Sequence, residues 1–143
     1  MKSMENFSKG RQQLLRMALM GNALFSTISG LTLILAGQWV VRLLGLPEAV
    51  NLITLGISLL VFAVTLVVFA RKKPIKVSDA WIAVLLDLAW VIGSYPLLFV
   101  VPFSTTGKWM VGIVAEVVML FALVQWLGIR RIQKGNMVPE PGR

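Results

Sequence analysis

The amino-acid sequence predicts an all-α protein, a four-helix transmembrane bundle with both termini in the cytoplasm. Of its 143 residues, 57% are hydrophobic and only 14% are charged, whereas a soluble domain carries about 25% charged residues. Four apolar segments reach the roughly 20 residues that an α-helix needs to cross a bilayer. They are approximately residues 14–36, 49–70, 80–101 and 109–129. With their short linkers these spans fill residues 1–134, which we interpret as a single domain.

The first span follows a basic N-terminal stretch and carries small and polar residues along one side. Ala18, Asn22, Ser26 and Gly30 recur at intervals of four, which places them on one helix face where another helix can approach closely. Its apolar region is longer than the roughly 7–15 residues of a cleaved signal peptide. We therefore interpret this segment as a permanent span.

The linker between the first and second spans predicts a short helix lying at the membrane interface. In GQWVVRLLGLPEA (37–49) the apolar residues recur at helical spacing, with Gln38 and Arg42 between them. Gly45 is expected to end this helix, and Pro47 to open the second span.

The linker between the second and third spans, RKKPIK (71–76), indicates the orientation of the chain. Ser78 and Asp79 follow it, and either is suited to cap the third span. Twelve of the fourteen basic residues are predicted on the same side of the membrane as this linker, and only Arg42 and Lys108 lie on the other. An excess of Lys and Arg marks the cytoplasmic side. We therefore expect both termini and this linker in the cytoplasm, with anionic lipids against the basic face.

One further linker and the C-terminal tail complete the chain. PFSTTGK (102–108), between the third and fourth spans, predicts a compact turn. Residues 135–143, which follow the last span, are expected to form a disordered cytoplasmic tail.

The composition narrows the classes of function. The chain has no cysteine and no histidine, which removes thiolate chemistry and the commonest general base and metal ligand. It also lacks a phosphate-binding glycine-rich loop and a Ser-His-Asp set. We therefore expect no metal and no cofactor, and an enzyme is disfavoured. Because the basic residues flank the spans, they are interpreted as topology signals, and nucleic acid is not an expected partner.

Two acidic residues lie well inside the predicted spans. Asp87, in AVLLDLAWVIGS (83–94), and Glu116 each lie about seven residues, or roughly 10 Å, from an end of their span. The two ends are on opposite faces, so the acids are not expected to pair with each other. An ionised acid at mid-bilayer costs at least about 2.5–3.5 kcal/mol, and no Lys or Arg lies at that depth. We expect both acids to face the bundle interior and to hold a proton part of the time.

Asp87 is the centre of the candidate site for a ligand or a proton. Asn22 lies at a similar depth and is the expected partner of Asp87. Gln125 could join the same layer, while Ser26 and Trp90 continue the helix faces that carry Asn22 and Asp87. These polar residues could instead be helix-packing glue, since interhelical hydrogen bonds contribute about 0.6 kcal/mol each.

Three further residues complete the candidates. Ser94 and Tyr95 precede Pro96, which should kink its helix. The kink could bound a small cavity. The full candidate set is Asn22, Ser26, Asp87, Trp90, Ser94, Tyr95, Glu116 and Gln125.

Four segments together carry a resemblance to a group of proteins. They are NALFSTISG (22–30), GLP (45–47), DLAWVIGS (87–94) and QWLGIRR (125–131). On these segments the chain resembles small bacterial four-span integral membrane proteins of uncharacterised function, from Leu14 to Arg131. The resemblance implies the fold and a location in the bacterial inner membrane, and it supplies no activity.

The leading hypothesis is a non-enzymatic membrane protein with a buried polar site around Asp87. That site would bind a small hydrophobic ligand or lipid, or carry a proton. The alternative is a structural or accessory subunit whose polar residues are packing glue, and a small enzyme acting on a lipid ranks third. The small-residue stripes also permit a homo-oligomer or a membrane partner.

Overall fold

The computed structural model describes residues 2–136, which fold into five α-helices. These are α1 (Lys2–Leu35), α2 (Gly37–Leu44), α3 (Ile53–Arg71), α4 (Val77–Val100) and α5 (Thr105–Asn136). All except α2 contain a segment long and apolar enough to cross a membrane. The predicted all-α architecture with four spans is confirmed, and the chain is a multi-pass membrane protein. Of the predicted tail, Gly135 and Asn136 end α5, and residues 137–143 lie outside the described residues.

The four long helices are arranged as two hairpins. α1 packs along α3, α4 packs along α5, and α1 also packs against α5, which joins the hairpins into a bundle. In contrast, α3 and α4 hardly touch, although they are consecutive spans. The bundle is therefore closed on the α1–α5 side and loose between α3 and α4.

Two glycines allow α1 and α3 to pack closely. A Cβ atom at Gly30 would lie 2.8 Å from the carbonyl oxygen of Gly56, and one at Gly56 would lie 2.7 Å from the carbonyl oxygen of Gly30. Both distances are shorter than a carbon–oxygen contact allows, so only glycine fits at this crossing. Gly30 belongs to the small-residue stripe predicted from the sequence.

The short helix expected after the first span is present as α2. Gly45 ends it with φ of +72°, and its N–H donates to the Arg42 carbonyl at 3.1 Å. The N–H and Oγ of Ser104 donate to the carbonyls of Leu44 and Leu43, both at 2.8 Å. These bonds fix α2 to the start of α5. The position of α2 at a membrane interface stays a prediction.

The starts of α3 and α4 differ from the sequence prediction. Pro47 does not open the second span, because α3 begins at Ile53, whose N–H donates to Oδ1 of Asn51 at 2.9 Å. The N-cap of α3 is Leu52, which makes no side-chain cap, so Asn51 bonds to Ile53 from the turn that precedes the helix. Neither Ser78 nor Asp79 caps α4, which begins at Val77 after Lys76, without a side-chain cap.

The 71–76 linker and the helix ends beside it form what we call the basic end of the bundle. Nζ of Lys72 lies 2.6 Å from Oδ2 of Asp79, and Nη2 of Arg16 donates to the Lys72 carbonyl at 3.2 Å. Beneath these polar contacts lies the main apolar cluster. It contains Leu15, Leu19, Ala23, Leu66, Ala70, Ile75, Ala80, Ala83, Val84, Ile129 and Ile132. The half of the bundle nearest the basic end is thus filled by side chains of all four spans.

Candidate ligand site at Asp87

Asp87 lies where three helices meet and accepts hydrogen bonds from two of them. Nδ2 of Asn22 on α1 donates to Oδ1 at 3.0 Å and to Oδ2 at 2.8 Å. Nε2 of Gln125 on α5 donates to Oδ2 at 2.9 Å. All three side chains are buried, with exposed fractions of 1% for Asn22, 2% for Asp87 and 0% for Gln125. The structure thus brings together the pair and the layer predicted from depth in the membrane.

Helical spacing explains why these polar side chains point inward. On α4 the buried residues Ala83, Asp87, Val91 and Ser94 recur every three or four positions and share one face. On α1 a similar face carries Asn22. Small and apolar residues on either side of each polar one pack against the neighbouring helices, and the hydrogen bonds between the polar side chains favour the same orientation.

The carboxyl of Asp87 keeps one acceptor position free of protein donors. Two ionised carboxylate oxygens accept about four hydrogen bonds between them. Oδ2 already accepts two, from Asn22 and Gln125, whereas Oδ1 accepts one, from Asn22. A further donor could therefore approach Oδ1.

The remaining polar atoms of this layer are only partly satisfied. Oγ of Ser26 lies 3.4 Å from Oδ1 of Asn22, which is a long hydrogen bond. Oε1 of Gln125 is buried and has no hydrogen-bond partner. The layer thus retains acceptor capacity beyond the bonds made by its own side chains.

No cation of the described residues neutralises Asp87. Among the side chains that the structure describes, the ion pair joins Lys72 to Asp79 at the basic end. The groups that bond to Asp87 are neutral amides, which stabilise a carboxylate through their N–H dipoles but leave its net charge in place. Within the described part of the chain, the ionised carboxyl therefore has no counter-ion, and a bound cation could supply one.

A cavity of about 340 Å³ begins at the Asp87 layer, and all four spans contribute to its wall. This volume is at the lower end of the roughly 300–1,000 Å³ of ligand pockets. Apolar and aromatic side chains dominate the wall, and a few hydroxyls join the amide and the carboxyl. The lining residues are Asn22, Phe25, Ser26, Ser29, Leu55, Ser58, Leu59, Val61, Phe62, Thr65, Leu86, Asp87, Trp90, Val114 and Val118.

The cavity opens through the gap between α3 and α4. Val61 on α3 and Leu86 on α4 both line it and are also exposed, at 62% and 49%. In a membrane-spanning bundle, a side chain exposed at this level faces lipid. The cavity can therefore be reached sideways from the bilayer.

The other candidate residues on α4 have separate positions. Trp90 lines the cavity next to Asp87. Ser94 is buried, but its Oγ donates to the carbonyl of Trp90 at 2.8 Å within its own helix. Pro96 lies inside α4, and neither Ser94 nor Tyr95 lines the cavity.

Glu116 does not face the bundle interior as expected. Its side chain is exposed on α5 and accepts a hydrogen bond from Oη of Tyr95, itself exposed, at 2.5 Å. Exposed apolar residues follow the same side of α5, among them Ile113 and Leu120. The sequence places Glu116 at a certain depth in the membrane but does not indicate to which side of α5 its side chain points. Glu116 and Tyr95 are therefore a second polar pair, apart from the Asp87 layer.

Sequence reasoning missed the contribution of α3 to the site. Phe62 and Thr65 line the cavity, as does Ser58. α3 is apolar on all sides, and the hydroxyls of Ser58 and Thr65 bond to carbonyls of their own helix. Their spacing of seven residues, two helical turns, is a weak signal that they share a face.

The described side chains form no metal site, at Asp87 or elsewhere. Among the residues whose side chains the structure describes, no three Asp, Glu, His or Cys side chains are grouped so that they could hold a metal ion. Comparison of the chain with known protein families, with characterised proteins and with solved structures found no match. The resemblance to small bacterial four-span proteins therefore stays a prediction.

Proposed function

We propose that this membrane protein binds a small, mostly apolar molecule in the cavity, with a polar group of that molecule at Asp87. The observation that carries the proposal is the unused acceptor position of a buried carboxyl on the wall of an apolar cavity. Most of the ligand would be held by close packing of its apolar surface against the cavity wall, because a molecule that comes from lipid gains little from leaving water. The carboxyl would fix its orientation, as a few convergent polar groups do in ligand pockets.

The ligand would reach the cavity from the lipid phase through the gap between α3 and α4. A hydrophobic molecule is concentrated in the bilayer, and the exposed residues at the gap, Val61 and Leu86, are apolar. We favour ligand binding over proton carriage because Asp87 is the one titratable side chain among the described residues that line the cavity. Without a second such group, a proton at Asp87 has no neighbouring acid or base to pass to.

Two substitutions on α3 test this proposal. Val61 and Val64 are exposed to nearly the same extent, at 62% and 63%, but only Val61 lines the cavity. We expect Val61→Trp to occlude the cavity and weaken the binding of phenylbutanol by about tenfold or more, equal to about 1.4 kcal/mol. Val64→Trp should bind as the unaltered protein does.

The measurement is equilibrium binding of radiolabelled phenylbutanol to protein in phosphatidylcholine nanodiscs, with empty nanodiscs subtracted. Saturable binding by the unaltered protein and by Val64→Trp, but not by Val61→Trp, is the expected result. Equal binding by all three proteins, or binding no greater than that of empty nanodiscs, would overturn the proposal.

A structural role is the second candidate, and one observation favours it. The hydrogen bonds of Asp87 join α4 to both α1 and α5, so the carboxyl connects the two hairpins. In that case the protein would be a structural or accessory subunit, and Val61→Trp would leave its assembly unchanged. The two candidate functions thus differ in what the protein needs: ligand binding requires an open cavity, whereas a structural role requires only the hydrogen bonds of Asp87.

The proposal also covers which end of the bundle faces the cytoplasm and which membrane holds the protein. We infer that the basic end faces the cytoplasm across a bacterial inner membrane, because basic residues concentrate on the cytoplasmic side of membrane proteins. Arg71, Lys73, Lys76, Arg130, Arg131 and Lys134 are all exposed. They would be in contact with anionic lipid headgroups.

A further inference from the structure

The electrostatics of the cavity favour one class of ligand over others. Asp87 contributes the negative charge of the wall, and none of the described lining residues is basic. The three hydrogen bonds that Asp87 accepts come from neutral amides. A cationic group inside the cavity would thus meet an unpaired carboxylate and no repelling charge.

The free acceptor position on Asp87 is suited to an N–H donor that carries a positive charge. Oδ2 accepts from both Asn22 and Gln125, so an incoming group would approach Oδ1, which has one protein donor. A charged N–H donor forms a hydrogen bond roughly twice as strong as a neutral one. The low polarity of the surroundings increases the attraction further.

The rest of the wall suits the body of such a molecule. Phe25, Phe62 and Trp90 all line the cavity. Aromatic faces attract cations, and they also bury apolar surface efficiently. A cavity of about 340 Å³ has room for a small aromatic or aliphatic group beside the charged end.

We propose that the cavity selects organic ammonium ions with an apolar body, whose N–H group donates to Oδ1 of Asp87. This inference rests on the proposed function, because it names the chemical class of the ligand that the cavity would bind. Neutral molecules of the same shape would bind more weakly, since they leave the charge of the carboxylate uncompensated.

Three probes of similar shape separate charge from hydrogen bonding. Phenylbutylamine carries a charge and N–H donors at neutral pH, phenylbutyltrimethylammonium carries a charge without a donor, and phenylbutanol has a donor without a charge. We expect the amine to bind at least about tenfold more tightly than the alcohol. It should bind at least about tenfold more tightly than the trimethylammonium ion, the equivalent of one lost hydrogen bond between charged groups.

Binding is measured in nanodiscs of zwitterionic phosphatidylcholine, so that lipid charge does not concentrate the cations, and empty nanodiscs are subtracted. Asp87→Asn should remove the preference for the amine over the alcohol. Val64→Trp, outside the cavity, should retain it. If Asp87→Asn does not fold, the order of the three probes on the unaltered protein decides alone.

Each result has a distinct meaning. Equal affinity for amine and alcohol, with both lost in Val61→Trp, would overturn the ammonium inference and leave the proposed cavity function intact. A trimethylammonium ion that binds as tightly as the amine would overturn the hydrogen bond to Oδ1. Binding of none of the probes above the level of empty nanodiscs would overturn both the inference and the proposed function.

Discussion

At the scale of single residues, Asp87 links the packing of the bundle to the chemistry of its cavity. The carboxyl accepts hydrogen bonds from α1 and α5, and Oδ1 has fewer protein donors than an ionised carboxylate oxygen can accept. In membranes, an interhelical hydrogen bond contributes about 0.6 kcal/mol on average. The bonds of Asp87 to Asn22 should thus make a measurable but modest contribution to stability.

A double-mutant cycle tests this contribution. We expect Asp87→Leu and Asn22→Leu each to lower the free energy of unfolding, because each leaves a buried polar partner without a bond. The double variant should lose less than the sum of the two, with a coupling of about 1 kcal/mol. The measurement is unfolding by sodium dodecyl sulfate in mixed micelles at constant pH.

Ser94→Ala is the matched control for this cycle. Ser94 is buried on the same face of α4 as Asp87, but its Oγ donates only within its own helix. Its coupling with Asp87→Leu should be close to zero. A coupling between Asp87 and Asn22 no larger than this control would contradict the hydrogen-bonded pair.

The depth of a residue in the membrane could be predicted from the sequence, but the direction in which its side chain points could be predicted only in part. Asn22 and Gln125 were predicted beside Asp87 from counting residues along each span, and the structure confirms it. The prediction that Glu116 faces inward was wrong, because α5 is apolar on both its buried and its exposed sides. Without a polar face, a transmembrane helix carries no clear periodic signal for its rotation.

At the scale of helices, the crossing of α1 and α3 depends on two glycines. Gly30 and Gly56 bring the two backbones together, and each lacks room for a Cβ atom. Gly93 on α4 is different, because a Cβ atom there would have no neighbour within 4 Å. The two positions allow the effect of crowding to be separated from that of helix propensity.

Gly56→Ala is expected to destabilise the protein by about 1–3 kcal/mol, the usual cost of overpacking. Gly93→Ala should be neutral or stabilising by up to about 1 kcal/mol, since Ala favours a helix more than Gly does. The midpoint of thermal unfolding in detergent measures both changes. Similar shifts for the two variants would show that the close approach of α1 and α3 does not contribute to stability.

The existence of the helices could be predicted from the sequence more reliably than their ends. The apolar segments predicted four spans, but the second was predicted to begin at about residue 49, opened by Pro47, whereas α3 begins at Ile53, two residues after Asn51. Pro47 belongs instead to a turn in which its carbonyl accepts the Val50 N–H at 3.0 Å. Both residues favour helix starts, and the choice between them depends on how the linker packs.

At the scale of the whole molecule, one end differs from the other in charge. The ends of α3 and α5 and the start of α4 bring exposed basic residues to the basic end. Lys108, at the start of α5, belongs to the opposite end. The bundle therefore has an electrical polarity along its long axis, on which the proposed orientation rests.

Single cysteines test that orientation, since the chain has none of its own. Ser78 and Thr106 are exposed at opposite ends of the bundle, and Ser→Cys and Thr→Cys changes leave the basic residues in place. We expect a membrane-impermeant maleimide to label Ser78→Cys only in inside-out vesicles and Thr106→Cys only in right-side-out vesicles. The reverse pattern would mean that the basic end faces outward.

The gap between α3 and α4 was beyond sequence reasoning. All four spans are similarly apolar, so hydropathy alone does not indicate which pairs pack closely. The packing follows instead from local shape, such as the paired glycines that bring α1 and α3 together. The Asp87 layer was therefore predicted, whereas the cavity beside it was not.

The two-hairpin arrangement also has a consequence for how the protein is made. Spans enter the membrane in the order of synthesis, so α1 and α3 can pair before α4 has left the ribosome. When the span that carries Asp87 arrives, the amide of Asn22 is already in the bilayer, whereas that of Gln125 follows one span later. Asp87, an acidic side chain that is costly to place in lipid, thus enters the membrane with its first partner waiting and its second still to be inserted.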